Sequence, residues 1–267
     1  MTVPERRWRE AGATDLDREV PAELPVALSF NRTTHAVMMA TPADLADFAL
    51  GFALSEEILS APSELRELDV VPLRTAPDAA PRGMECRMWI SSDRMEGLDA
   101  RRRHVAGPTG CGLCGLESLE AALRPVRRVP DGRRWDAERV REAMRSLSPA
   151  QALNRRTRAV HAAGFWCEEE GLVAVREDVG RHNALDKLHG ALAGRRRTLA
   201  DGILLLTSRV SVELVQKAAL MGAPVLAAVS APTALALDTA RDANMTVVAT
   251  AREDGFSVFT GRERIRT

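Results

Sequence analysis

Five alternating elements between Ile203 and Thr250 restrict this chain most. Ile203–Thr207, Pro224–Val229 and Thr246–Thr250 are short apolar runs of strand length; Ser211–Met221 and Pro232–Ala243, lying between them, have helical spacing. A β-α-β-α-β run implies parallel strands with helices packed over them. Ala218 to Leu237 carries no charge over 20 residues, which is long enough for a membrane span. Gly222, Pro224 and Pro232 divide it into a helix end, a short strand and a new helix start. The stretch therefore reads as the buried core of an α/β protein, not as a membrane segment.

The rest of the chain is less regular. Residues 1–17 are polar and aperiodic and predict a loose N-terminal tail. Glu23 to Ala40 predicts two short strands about a turn at Asn31-Arg32. A helix is expected next, with Thr41 as cap, Pro42 in its first turn and Asp44 closing a capping box. Leu45, Phe48, Ala49 and Phe52 share one face of it, and it should run to about Leu59. Residues 61–83 hold four prolines and predict loop, with room for one strand, and Met84–Ile90 predicts another. Helices are expected over Leu116–Leu123 and over Asp136–Leu147, the latter capped by Asp136. Strands at 160–167 and 171–178, a helix over Arg181–Leu192 and a last strand over Phe256–Thr260 complete the pattern.

The chain has 267 residues and zero formal charge, with 45% hydrophobic and 28% charged residues, so it can bury a sizeable core and is not a disordered chain. The charge balance gives no support to a nucleic-acid or membrane-surface binder. Its distribution is uneven. Residues 1–100 hold 10 basic and 18 acidic side chains, whereas 101–158 hold 14 basic and 6 acidic, which places either an anionic ligand or a solvated arginine-rich surface near the middle of the chain. Of 37 Lys+Arg, only Lys187 and Lys217 are lysines. Four cysteines are too few for the disulfide framework of a secreted domain. The start, MTVPERRWREAG, has no apolar h-region, and a cytoplasmic protein is expected.

Two segments concentrate chemistry. In Gly110-Cys111-Gly112-Leu113-Cys114-Gly115, three glycines let backbone N–H groups approach two neighbouring thiols, and a helix is expected just beyond. Both effects favour the nucleophilic thiolate. A zinc knuckle would need a second such pair, and Cys86 and Cys167 are isolated on predicted strands. A zinc deaminase would need His-x-Glu upstream, which is absent. A thioredoxin-like motif would need a preceding strand, and a pair of inert structural thiols would not need the glycines. The second segment is Arg176-Glu177-Asp178-Val179-Gly180-Arg181-His182-Asn183-Ala184-Leu185-Asp186-Lys187, at a strand-to-helix junction. Strand ends of this kind form ligand sites, and Arg181 and His182 at the helix start would face a phosphate. The other reading is a capped helix with surface ion pairs.

These two segments, together with TPADLADFALGFALSEEIL, SVELVQKAALMGAPVLAAVSAPTALA and FSVFTG, resemble the formate dehydrogenase accessory sulfurtransferase family (FdhD), over about residues 18 to 261. The resemblance implies a smaller mixed N-terminal lobe (about 18–105), a thiol loop (106–115) and a C-terminal three-layer α/β lobe (about 116–267) similar to the cytidine deaminase fold. It implies a sulfurtransferase that accepts persulfide sulfur from a cysteine desulfurase on Cys111, with Cys114 auxiliary. The acceptor is the bis-molybdopterin guanine dinucleotide cofactor, with molybdenum or tungsten, destined for the formate dehydrogenase catalytic subunit. A homodimer, and no metal ligand set of its own, are also implied. Phe256, Ser257, Val258, Phe259, Thr260 and Gly261 match a cofactor-contacting strand; Phe259 stands where family members often carry Tyr, and Thr109-Gly110 where they often carry Ser-Ser. The strand-end rule places guanine nucleotides near Ser208–Ser211 and Ser230–Pro232. The alternatives are an escort that holds the cofactor without covalent sulfur chemistry, and a zinc-stapled interaction module.

Overall fold

The computed structural model describes residues 1–102, 126–195, 197–252 and 254–267. The thiol segment with Cys111 and Cys114, and the helix expected over Leu116–Leu123, lie outside the described residues.

The C-terminal half is built on a six-stranded sheet. Its strands are β8 (His161–Cys167), β9 (Gly171–Asp178), β10 (Gly202–Leu206), β11 (Val225–Ala228), β12 (Thr246–Ala249) and β13 (Ser257–Thr260), in the order β13-β12-β11-β10-β8-β9. The alternating run gives the parallel centre β10-β11-β12, as its connections require. β8, β9 and β13 join antiparallel, so the sheet is mixed. Every residue of β10, β11 and β12 is buried, because helices cover both faces. Leu204 and Leu206 pack with α5 (Arg181–Gly194), α6 (Val212–Leu220) and α7 (Ala234–Asp242). Ile203 and Leu205 point the other way, into a core with Val140, Ala143 and Leu147 of α3 (Ala137–Ala150) and the edge-to-face pair Trp166 and Trp135, the latter in the short β7 (Trp135–Asp136). This is the expected three-layer arrangement. The uncharged stretch 218–237 is the end of α6, β11 and the start of α7, and among the described residues no helix is long and apolar enough to cross a membrane.

The N-terminal half has its own four-stranded sheet, β4-β3-β6-β5, from β3 (Leu24–Phe30), β4 (Thr33–Ala40), β5 (Glu67–Leu73) and β6 (Gly83–Trp89). α1 (Leu45–Ser55) and α2 (Ser92–Arg102) accompany it, and Phe48, Ala49 and Phe52 of α1 close its core against Val26, Leu28 and Cys86. The turn at Asn31-Arg32 is as expected, with both residues at positive φ.

Three expectations need correction. Residues 1–17 are not a loose tail: β1 (Thr2–Arg9) and β2 (Gly12–Glu19) form an antiparallel hairpin. Its strands carry charged cross-strand pairs such as Arg6–Asp15 at 2.7 Å instead of an apolar stripe, so hydrophobic periodicity is silent there. Its base is tied to the body by Arg156 Nε to Glu19 Oε2 at 2.5 Å. Thr41 does not cap α1; the helix starts at Leu45, after Asp44 in the left-handed region at φ 54°. It stops at Ser55, four residues short of Leu59, although Ile58 and Leu59 remain buried. α2 was not anticipated, its mean composition being polar.

The two halves meet through α1 and α5. A Cβ at Gly51 would overlap the carbonyl oxygen of Asp186, and one at Gly190 would overlap that of Asp47. Only glycine lets these two backbones approach so closely.

Candidate functional site

The twelve-residue segment 176–187 runs from the end of β9 into α5, and its side chains divide into two groups. Most of them hold the protein together. Arg176 donates to Asp47 Oδ2 of α1 at 2.6 and 2.8 Å. Glu177 accepts the backbone N–H groups of Leu153 and Asn154 at 2.8 and 2.7 Å, satisfying the start of α4 (Ala152–Thr157). Asp178 is fully buried and accepts from Thr41 N (2.9 Å), Gly180 N (2.8 Å) and Asn183 Nδ2 (3.0 Å), while its other partner is Lys187 Nζ at 2.7 Å. Lys187 Nζ also donates to Thr41 O at 2.9 Å, and Asn183 Nδ2 to Met39 O at 2.9 Å. Thr41 is thus recruited to the junction between the halves, which is why it does not cap α1. Asp186 takes Lys217 Nζ at 2.7 Å, and Glu56 of the N-terminal half lies 3.4 Å from the same ammonium. Asp186 and Glu56 hold the Lys217 pKa above its ordinary value against the cost of burial. Asp178–Lys187 and Asp186–Lys217 are thus sequestered within the C-terminal half and Arg176–Asp47 joins the two halves, so these are not the exposed surface pairs that the alternative reading expected.

Arg181 and His182 take no part in that network. Among the described residues, Arg181 Nε and His182 Nε2 are buried and have no hydrogen-bond partner. Burial pushes the His182 pKa down to about 4, with the Arg181 and Lys217 charges adding to the shift, so its ring is neutral near pH 7. His161, at the start of β8, also has a lowered pKa, from burial and from Arg181.

These residues stand at one edge of the six-stranded sheet, where β9, β10, β11 and β12 all end and α5, α6 and α7 all begin. Thr207, just past β10, holds the start of β8 there through Ala162 N–H at 2.8 Å. The expected loops 208–211 and 230–232 are here as well, joined by a bridge between Val210 and Pro232. Thr233 caps α7 by accepting Ala236 N–H at 3.3 Å. α5 and α6 begin with Gly180 and Ser211 and have no side-chain cap, which leaves N–H groups and the positive ends of two helix dipoles at the edge. The arrangement suits an anion.

The segment 256–261 runs antiparallel to β12, so it crosses from one end of the sheet to the other. Phe256 and Ser257 are at the edge just described. Val258 and Phe259 pack on the two cores. Thr260 and Gly261 reach the opposite end, where Thr260 Oγ1 donates to Met245 O at 2.8 Å and Gly261 O accepts Thr246 Oγ1 at 2.8 Å. Arg181 and His182 share an end of the sheet with Phe256 and Ser257, but β9 and β13 are its two outermost strands, and Thr260 and Gly261 lie at the opposite end.

Sequence reasoning passed over Glu213, whose Oε2 is buried beside this edge without a hydrogen-bond partner among the described residues, and Ser211 Oγ shares that property. An acidic residue in the first turn of a helix that follows a parallel strand was the available signal. Cys86 and Cys167 are free and buried. Burial pushes the Cys86 thiol up to about 12, and Cys167 Sγ accepts from Arg197 Nη2 at 3.0 Å.

Residues 21–266 match the FdhD/NarQ family. A sulfur carrier protein FdhD from Agrobacterium fabrum is 50% identical over 258 residues, covering 96% of this chain and 93% of that protein. The protein of the same name from Variovorax paradoxus is 47% identical, over 97% of this chain and 90% of that protein. A crystal structure described as a formate dehydrogenase accessory protein, from Desulfotalea psychrophila, has a TM-score of 0.74 at 22% identity, covers 100% of this chain and 99% of that one, and shares the fold. A match that spans both lobes and the junction segment, with relatives half identical over nearly the whole length, establishes that the chain belongs to the FdhD/NarQ family.

Proposed function

We propose that the protein is a sulfur carrier for the maturation of formate dehydrogenase, acting as a sulfurtransferase through Cys111. The Cys111 thiolate attacks the outer sulfur of a persulfide on a cysteine desulfurase. One S–S bond forms, the donor's S–S bond breaks, and the donor leaves as a thiolate. Cys111 then carries the sulfur as its own persulfide. Attack by the Cys114 thiolate on the inner sulfur would release hydrosulfide and leave a Cys111–Cys114 disulfide, which balances the electrons of delivery at the sulfide level. The acceptor and cargo is the bis-molybdopterin guanine dinucleotide cofactor, held at the sheet edge by Arg181, His182 and the uncapped starts of α5 and α6, with Phe256 and Ser257 at the same end of the sheet but on β13, its opposite outermost strand. The proposal extends to a cytoplasmic homodimer, and the strand order β9-β8-β10-β11-β12 supports a likeness to the cytidine deaminase fold.

The observation that carries the cargo site is the convergence of two uncapped helix starts with Arg181 and His182 atoms that are buried and, among the described residues, unpartnered. Buried polar atoms are rarely left this way without a role. The covalent part rests on the glycine-flanked thiol pair, and mass spectrometry after incubation with a desulfurase and cysteine tests it. One sulfur atom should appear on Cys111 and leave on reduction. A Cys111→Ala protein that still supports formate dehydrogenase activation would favour an escort that holds the cofactor without carrying sulfur.

A further inference from the structure

Among the described residues, the exposed large hydrophobics collect in two places. Met1 and Trp8 belong to the N-terminal hairpin, and Val37, Met39, Val70 and Leu73 to the N-terminal sheet, which leaves Leu235 alone elsewhere. The hairpin is an arm. No side chain of β1 or β2 is buried, and a two-stranded hairpin without a packed face is only marginally stable. It is fastened at its base, where Arg156 pairs with Glu19 and Arg18 Nη2 donates to Thr157 O at 3.4 Å. Trp8 stands at the other end, next to the last pair before the turn, Arg9 and Gly12. Its cross-strand neighbour is Ala13, which covers little of the ring, and the indole is 75% exposed. Arg6, Arg7 and Arg9 surround it in the strand.

The sheet offers an open apolar face. Val26 and Leu28 of β3 pack with α1, so Pro25 and its cross-strand neighbour Met39 point the opposite way. A Cβ at Gly83 would lie 3.4 Å from Pro25 Cγ and 3.8 Å from Leu73 Cδ2, which puts Leu73 on this same outer face with a bare glycine between the two. Val37 and Val71, each two positions along its strand, extend the patch. Val37, Met39 and Leu73 are 56%, 50% and 66% exposed. A contiguous apolar patch left open in this way marks an interaction site. Within one chain it does not meet Trp8, because both are exposed and the arm is fastened to α4 of the other half.

Their charges are complementary. Residues 20–100, which carry the patch, hold 13 acidic and 6 basic side chains, and Asp69 continues the row of Val71 and Leu73. The arm brings three arginines with its tryptophan, two of the residue types enriched where interfaces hold most of their energy. A patch and an arm that cannot meet in one chain are both satisfied in a two-fold pair, where each copy gives one arm and receives one, so every contact is made twice.

We propose that the arm of one copy lays Trp8 on the outer face of the N-terminal sheet of a second copy, over Pro25 between Met39 and Leu73, with its arginines against the acidic surface of that lobe. This deepens the homodimer of the reading above by naming its contact. Two measurements on the full-length protein test it. In the first, protein carrying Trp8→p-benzoylphenylalanine is equilibrated with an excess of isotope-labelled unmodified protein and irradiated, and cross-linked peptides are read by mass spectrometry. Links from position 8 should reach labelled residues 24–40 or 67–89. Links confined to the probe's own chain, links to other segments, or no links would overturn the proposal. In the second, sedimentation equilibrium gives the dimer dissociation constant. Trp8→Ser and Leu73→Glu should each raise it at least about tenfold. Both side chains face solvent within their own chain, so neither change should unfold it. A dimer that either variant leaves unchanged would overturn this contact and keep the homodimer. A protein that sediments as a monomer at every concentration would overturn both.

Discussion

Lys187 Nζ lies 2.7 Å from Asp178 Oδ2, and neither side chain reaches solvent. The pair spans the turn between β9 and α5, and both partners also bond Thr41, so a single buried charge pair fixes the strand-to-helix junction and clamps the N-terminal half to it. A buried ion pair offers little net stability over an apolar substitute, but removing one partner strands the other charge. Lys187→Met should therefore cost about 3–5 kcal/mol, measured by urea unfolding. Lys187→Arg should also destabilise, because a fully buried slot shaped for an ammonium cannot take the larger planar guanidinium. Both of the chain's lysines, in a sequence otherwise using arginine, sit in such junction pairs with aspartate.

The α1–α5 crossing gives a second test. Gly51→Ala should destabilise by at least about 3 kcal/mol, since the added methyl would meet the Asp186 carbonyl and backbone cannot swing aside as a side chain can. Gly194→Ala, at the end of α5 with open space around it, should instead stabilise by roughly 0.5–1 kcal/mol. Thermal midpoints of the two variants should move in opposite directions.

Acid should loosen the protein through its buried imidazoles. His182 and His189 both have folded-state pKa values of about 4, set first by burial, below the ordinary 6.5. The unfolded chain then takes up protons that the folded one refuses, so stability is full above about pH 7 and falls as pH drops from about 6.5 toward 4. Each histidine should account for a loss on the order of 2–3 kcal/mol. His189→Gln should remove its own share of this slope in urea midpoints measured against pH, and an unchanged slope would contradict the assignment.

Thiol labelling should separate the four cysteines. In the native protein at mildly alkaline pH, iodoacetamide should spare Cys86 and Cys167, both fully buried, and react at Cys111 and Cys114. All four should react in denaturant. Labelling of native Cys86 at a rate like that of an exposed thiol would be inconsistent with its raised pKa.

The segment 176–187 predicts a division of labour. Arg181→Ala with His182→Ala should weaken nucleotide binding roughly ten- to hundredfold by calorimetry and leave persulfide formation intact. Unchanged binding with clearly reduced thermal stability would place these two residues with the structural members of the segment.

The sequence alone determined most of the C-terminal half. Apolar runs at 203–207, 224–229 and 246–250, split by Gly222, Pro224 and Pro232, settle strand and helix identity because burial on both faces demands unbroken apolar strands and proline stops helices. It also carried the family motifs. It did not reveal the hairpin of residues 2–19, whose strands pair through charges, nor the true start of α1, where Thr41 bonds residues more than a hundred positions away. The same holds for the candidate site. In the sequence Asp178, Arg181, His182 and Lys187 look alike, as polar residues at a helix start. Only the tertiary structure decides which of them are buried against the other lobe and which stay unpartnered beside Glu213, because a hydrogen bond depends on distances that no spacing along the chain encodes.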